Sequence, residues 1–158
     1  MIIAGIDMGI QFTKAVVFKD GKVIGRSVVS TGGIDRPGQA QQAYDGALRE
    51  AGVGAGDVEK VVATGKGRFD VRFADEVFTD TAAAARAAGY FDPEATSVMS
   101  VGADETLAAV LGKERLINEV ALNQKCAAGL GTFLTYLAMR LGLTMGQAAA
   151  AEVRTPEL

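Results

Sequence analysis

Ile2-Ile3-Ala4-Gly5-Ile6-Asp7-Met8-Gly9-Ile10-Gln11-Phe12-Thr13-Lys14-Ala15-Val16-Val17-Phe18 reads as two strands joined by a tight turn, and this opening decides the fold. Apolar residues fill both flanks. Asp7 ends the first strand, Gly9 makes the turn, and Thr13 and Lys14 open the second strand. The pattern Asp-x-Gly-x-x-x-Thr-Lys suits phosphate handling. Backbone N–H groups of the turn and the Thr13 hydroxyl can cradle a phosphate, and Lys14 can neutralise its charge. Asp7 can hold a magnesium ion through water. An ordinary hairpin with a polar turn fits the same residues, so the stretch alone leaves both readings open.

Working outward, a third strand is expected over 22–30, where Val23-Ile24-Gly25-Arg26-Ser27-Val28 alternates. Gly32-Gly33 marks a loop, and Arg36-Pro37-Gly38 precedes a helix over about 39–51 that Gly52, Gly54 and Gly56 end. A buried strand over Val58 to Thr64 leads into the loop Thr64-Gly65-Lys66-Gly67. An alanine-rich helix follows near 80–89, with Asp80 as its N-cap. Beyond a hinge near Asp92-Pro93, the reading is strand 96–102, a short helix or turn over 106–112, and strand 115–122. Helices over about 126–142 and 144–152 finish the chain. No internal repeat or long linker stands out. Three opening strands followed by alternating helix and strand predict an α/β chain with mixed strand direction. It divides into a first lobe, 1–93, and part of a second, 94–158.

Composition excludes several function classes. Of the 158 residues 49% are hydrophobic, and with 20 glycines and no tryptophan the core is built from small side chains. The net charge of −3 gives no basic footprint for nucleic acid. No apolar run approaches the roughly 20 residues that cross a membrane, and no secretion signal is evident, so a cytoplasmic domain is expected. A single cysteine rules out an internal disulfide, and the absence of histidine rules out a Ser-His-Asp triad or the usual zinc sites within this chain.

That cysteine lies in Asn123-Gln124-Lys125-Cys126-Ala127-Ala128-Gly129-Leu130-Gly131-Thr132-Phe133, between an apolar strand and a helical pattern through Leu134, Leu137 and Leu141. A helix N-terminus carries unpaired N–H groups and a partial positive charge, which favours a thiolate. Cys126 there suits a metal or iron–sulfur ligand, or a nucleophile; a small buried hydrophobe fits the same pattern. Gly65 and Gly67 follow a strand, where backbone can come close to a ligand, and Lys66 and Arg68 add charge. The same loop also reads as a plain connection with two solvated cations.

Taken together, these segments resemble the BadF/BadG/BcrA/BcrD-type ATPase family of 2-hydroxyacyl-CoA dehydratase activators and benzoyl-CoA reductase small subunits. The resemblance runs through Gly5-Ile6-Asp7-Met8-Gly9 with Thr13-Lys14, Ala63-Thr64-Gly65-Lys66-Gly67-Arg68, Val101-Gly102-Ala103-Asp104-Glu105, and the cysteine segment to Leu134. It implies the actin/hexokinase/Hsp70-type (ribonuclease H-like) nucleotidase fold, with the first nucleotide-binding lobe and part of the second present. It further implies ATP/ADP and Mg2+ held by Asp7, Gly9, Thr13, Lys14, Gly65 and Gly102. Cys126 would ligate a 4Fe–4S cluster shared between subunits, with Gly129 and Gly131 permitting close packing beneath it. The implied activity is ATP-dependent delivery of low-potential electrons to an acyl-CoA reductase or dehydratase. The implied partners are that component and a second copy or homologous subunit.

The chain departs from the family's pattern in three places. Ser100 stands where an acid is usual, with Ala103 for the second glycine; this variant is closest to the benzoyl-CoA reductase small subunits. Ile10 replaces a serine of the first turn, and the family's second cysteine is not reached by Leu158. Removing a metal-positioning group often slows such chemistry ~100-fold or more, so nucleotide binding is better supported than efficient hydrolysis. The alternative reading is a non-catalytic assembly or regulatory module on the same fold. A sugar or acetate kinase relative fits the first motif but gives the cysteine segment no purpose.

Overall fold

The computed structural model describes residues 1–32, 35–123, 125 and 129–151. Its first sheet has the strand order β3-β2-β1-β4-β5, formed by β1 (Ile2–Met8), β2 (Phe12–Lys19), β3 (Lys22–Ser30), β4 (Lys60–Thr64) and β5 (Glu76–Val77). β1, β2 and β3 pair antiparallel, whereas β4 lies parallel to β1 and β5 parallel to β4. The mixed direction expected from the sequence is therefore present. A parallel pair needs a crossover, and α1 (Arg36–Ala51) supplies it between β3 and β4.

Along β2 the side chains alternate, Thr13, Ala15 and Val17 inward and Phe12, Lys14 and Val16 outward, as a pleated strand requires. The inward set joins Ile6 and Met8 beneath α1, whose Ala40, Ala43 and Ala47 are fully buried. These small residues let the helix approach the sheet closely, and Tyr44 completes the layer by stacking on Phe73 at 5.2 Å. Fully burying each of the larger apolar side chains contributes about 1.5–3 kcal/mol. The helix begins at Arg36, earlier than expected. Asp35 caps it by accepting from the Gly38 N–H at 3.0 Å, and Pro37 is tolerated because first-turn N–H groups have no intrahelical partner. Gly52 ends it in the left-handed conformation, φ +66°.

α2 (Asp80–Phe91) leads to a second, antiparallel sheet of β6 (Ser97–Val101), β7 (Thr106–Leu111) and β8 (Ile117–Asn123). Thr79, not Asp80, is the N-cap of α2, accepting from the Ala82 N–H at 3.2 Å. α2 lies against β6 and β7 and reaches the first sheet through an edge-to-face contact of Tyr90 with Phe18 at 5.2 Å. The segment expected as a helix or turn over 106–112 is instead the central strand β7. Its Leu107, Ala109 and Leu111 are buried on alternate positions, and pairing on both edges overrides the helical leaning of its alanines. α3 (Leu130–Arg140) and α4 (Met145–Ala149) follow, and Cys126 lies outside the described residues.

A structural repeat links the two sheets, contrary to the expectation of none. In the first hairpin Asp7 pairs with Lys14, Met8 with Thr13, and the Gly9 N–H donates to Phe12 O. In the second, Ser100 pairs with Leu107, Val101 with Thr106, and the Gly102 N–H donates to Glu105 O. Even the register irregularities fall at matching places, between Val17 and Phe18 and between Val110 and Leu111. Among the described residues no helix is long and apolar enough to cross a membrane.

Candidate functional site

The two hairpin turns open onto one cleft of about 580 Å³, between the sheets. Its walls carry Asp7, Gly9, Lys14 and Gly65 from the side of the first sheet, Gly102 from the turn of the second, and Gly131 from α3. The sequence reading assigns the first five to the nucleotide and Gly131 to packing beneath a cluster. A volume of this order suits a small-molecule or cofactor site.

Each wall is built by local sequence. Asp7 and Lys14 face each other across the β1–β2 pair, and their side chains form an ion pair at 2.8 Å. Gly65, directly after β4, has φ +88°, and a Cβ there would lie 2.5 Å from Met8 O and 2.6 Å from Asp7 Oδ1. Only glycine allows the loop to run this close beneath Asp7. The loop's next turn is pinned by the Gly67 N–H donating to Met8 O at 2.8 Å.

Opposite, Glu105 Oε2 accepts from Lys66 Nζ at 2.7 Å, joining the two walls. That hydrogen bond holds the Lys66 ammonium above the ordinary lysine value, opposed by burial and aided by the charges of Glu105, Asp80 and Asp104. Asp80, read from the sequence only as a cap, lines the cleft and lies 3.8 Å from Arg68 Nη1. Nothing in its sequence context marked it, because an acid at a helix start has a sufficient local reason to be there.

One side chain expected at the phosphates is placed elsewhere. Thr13 has 0% exposure, and its hydroxyl pairs with that of Thr31 at 2.8 Å beneath the sheet, away from the cleft. Residues adjacent on a strand point to opposite faces, so Lys14 and Thr13 cannot both reach one ligand with their side chains. Gly129, which the resemblance assigns to packing beneath a cluster, sits behind the cleft's second turn, where a Cβ would lie 3.1 Å from Ala103 O. It is the N-cap residue of α3. The start of α3 is bonded to that turn: the Gly131 N–H donates to Gly102 O at 3.0 Å, and the Thr132 hydroxyl donates to Ala103 O at 2.9 Å.

Chemically, the cleft offers turn backbone, two lysines and the carboxylates of Asp7, Asp80, Asp104 and Glu105. Carboxylate oxygens suit a hard cation such as Mg2+. Among the described residues no group of three or more His, Cys, Asp or Glu side chains forms a metal cage.

Comparison with known proteins agrees with this architecture. The activator of the 2-hydroxyisocaproyl-CoA dehydratase from Clostridium difficile with bound ADPNP superposes with a TM-score of 0.83 at 24% identity, covering 98% of this chain and 59% of that one. The ROK hexokinase from Thermus thermophilus aligns with a TM-score of 0.54 at 21% identity, over 85% of this chain and 52% of that one. The fold is therefore the α/β, actin/hexokinase-like one. Among sequence relatives, the activator of lactoyl-CoA dehydratase from Anaerotignum propionicum is 34% identical over 94% of this chain and 57% of its own length. A benzoyl-CoA reductase subunit from Thauera aromatica is 33% identical over 92% of this chain and 53% of its own length. The chain thus spans little more than half the length of the relatives it matches. The profile of the BadF/BadG/BcrA/BcrD ATPase family covers residues 4–156, and the chain belongs to that family.

Proposed function

We propose that this chain is the nucleotide-binding part of an ATP-dependent electron-transfer component, one that supplies low-potential electrons to an acyl-CoA reductase or dehydratase in the cytoplasm. The observation that carries the reading is the convergence of both glycine hairpins and the Gly65 loop on one cleft. Relatives named as a dehydratase activator and a reductase subunit, and a neighbour bound to ADPNP, give the reading its chemistry.

In this reading the turn backbone at Gly9 and Gly102 receives phosphate oxygens, Lys14 neutralises charge, and Gly65 admits the ligand close to β1. Thr13 braces β2 from below. Asp7, Asp104 and Glu105 fit Mg2+ as hard donors, with the nucleotide supplying further oxygens. The bonds from Gly131 and Thr132 to the second turn tie ligand position to the start of α3.

Cys126 is the chain's one candidate ligand for a 4Fe–4S cluster, and it lies outside the described residues. Two copies of the chain bring two thiols to a cluster that takes four, so the remaining ligands would have to come from further residues or from a partner. A second reading, a non-catalytic assembly or regulatory subunit, is favoured by one observation. Ser100 and Leu107 occupy in the second hairpin the places of Asp7 and Lys14 in the first, so that wall lacks both charges at this position.

The test pairs ADPNP binding and ATP hydrolysis with iron and sulfide content after anaerobic reconstitution, for wild type and Cys126→Ser. Nucleotide binding together with iron that the substitution abolishes is the expected result. Nucleotide binding without iron or hydrolysis, even with the acyl-CoA component present, refutes electron transfer and supports the regulatory reading.

A further inference from the structure

Among the described residues two lysines line the cleft, and both are engaged by carboxylates. The two pairs differ in kind. Asp7 and Lys14 are partners within one hairpin and stay together whatever the second sheet does. Lys66 and Glu105 lie on opposite walls, one in the loop after β4 and the other in the turn before β7, so their 2.7 Å contact spans the cleft. The Glu105 side chain is 11% exposed, against 34% for Lys66. The carboxylate is embedded in its wall, and the lysine is the flexible arm, with a four-carbon stem and three rotatable donors.

The base of that arm is fixed. Gly65 is held in its left-handed conformation beneath Asp7, the Gly67 N–H is bonded to Met8 O, and Arg68 Nη1 donates to Gly65 O at 3.1 Å. Any exchange of partner is therefore made by the Lys66 side chain. The cleft itself has four carboxylates against two ammonium groups. An entering polyphosphate meets net repulsion unless a cation turns toward it.

We propose that Lys66 is a phosphate-binding arm held in reserve by Glu105, and that an anionic nucleotide entering the cleft exchanges the cross-cleft ion pair for a Lys66–phosphate contact. This rests on the nucleotide reading above and assigns a residue that reading leaves unused. The raised ammonium pKa keeps the arm charged throughout the neutral range.

The experiment measures ADPNP affinity by calorimetry, with EDTA in place of divalent cation, for wild type, Lys66→Gln, Glu105→Gln and the double variant. Circular dichroism verifies folding, and Lys66→Arg serves as the charge-conserving control. A charge-assisted bond to phosphate makes Lys66→Gln about tenfold weaker or more. Releasing the arm makes Glu105→Gln about two- to fivefold tighter. The double variant loses most of that tightening and keeps only the gain from one carboxylate fewer in the cleft, because Glu105 acts chiefly through Lys66. Affinity of Lys66→Gln within about twofold of wild type overturns the proposal, as does tightening by Glu105→Gln that persists in full without Lys66. Wild-type protein that fails to bind ADPNP with or without Mg2+ refutes the nucleotide reading itself. The ion pair is then judged in free protein, where non-additive Tm losses for the two substitutions support it and additive losses overturn it.

Discussion

Replacing Gly65 with alanine would place a methyl group 2.5 Å from Met8 O and 2.6 Å from both Met8 C and Asp7 Oδ1. Two penalties add. An L-residue forced to φ +88° costs about 1–2 kcal/mol. Contacts this short against β1 backbone force a shift of the loop or strand, and overpacking of that kind typically costs about 1–3 kcal/mol. A total near 3 kcal/mol lowers the Tm of a chain this size by about 6–12 °C. Gly21→Ala isolates the first penalty, because Gly21 has φ +79° and nothing within 4 Å of its Cβ direction. Thermal unfolding followed by circular dichroism, with ADPNP binding on the same samples, reads both effects. The expected result is a Gly65→Ala loss clearly larger than that of Gly21→Ala, accompanied by weakened nucleotide binding. A Gly65→Ala Tm equal to or above that of Gly21→Ala, with ADPNP affinity unchanged, would refute the close-approach reasoning.

Thr13→Val keeps the shape of a buried residue but leaves the Thr31 hydroxyl without its 2.8 Å partner, so stability falls by about 1–3 kcal/mol while ADPNP affinity stays unchanged. Calorimetry showing a tenfold affinity loss at unchanged Tm would return Thr13 to the ligand. The pH dependence follows from Lys66, whose folded pKa is raised above its unfolded value. Its contribution to stability is complete below the ordinary lysine pKa of about 10.4 and is lost as pH rises through the higher folded value. Unfolding curves between pH 9 and 12 should therefore show a decline that Glu105→Gln reduces; identical declines in the two proteins would sink the assignment.

The first sheet was legible because its signals were local and mutually consistent. Apolar runs flank Gly9, Gly52 stops α1, and Thr64 to Gly67 marks the end of a buried strand. The second sheet was legible only at its outer strands. In β7 the run Thr106-Leu107-Ala108-Ala109-Val110-Leu111 satisfies either period, and its partners on both sides settled the matter. The repeat was hidden because hairpin geometry depends on few residues. Gly9 and Gly102, or Thr13 and Thr106, are shared, while Asp7 and Lys14 became Ser100 and Leu107. Most of the cleft-lining glycines and charges were found from their motifs. Motif composition does not settle where the Thr13 side chain lies, because strand alternation sends it to the face opposite Lys14. Asp80 escaped notice because only the packing of α2 brings it to the cleft.

The matched hairpins also make the chain its own control experiment. Gly9 and Gly102 hold the same register position, and a Cβ at either would meet the carbonyl oxygen across its turn, at 2.8 Å for Gly9 and 3.0 Å for Gly102. One substitution can thus be made twice in a single polypeptide, beside the Asp7–Lys14 pair of one hairpin and beside the cross-cleft Lys66–Glu105 pair. The backbone perturbation is nearly common to both, so the difference between the two variants reports how the two charge settings differ.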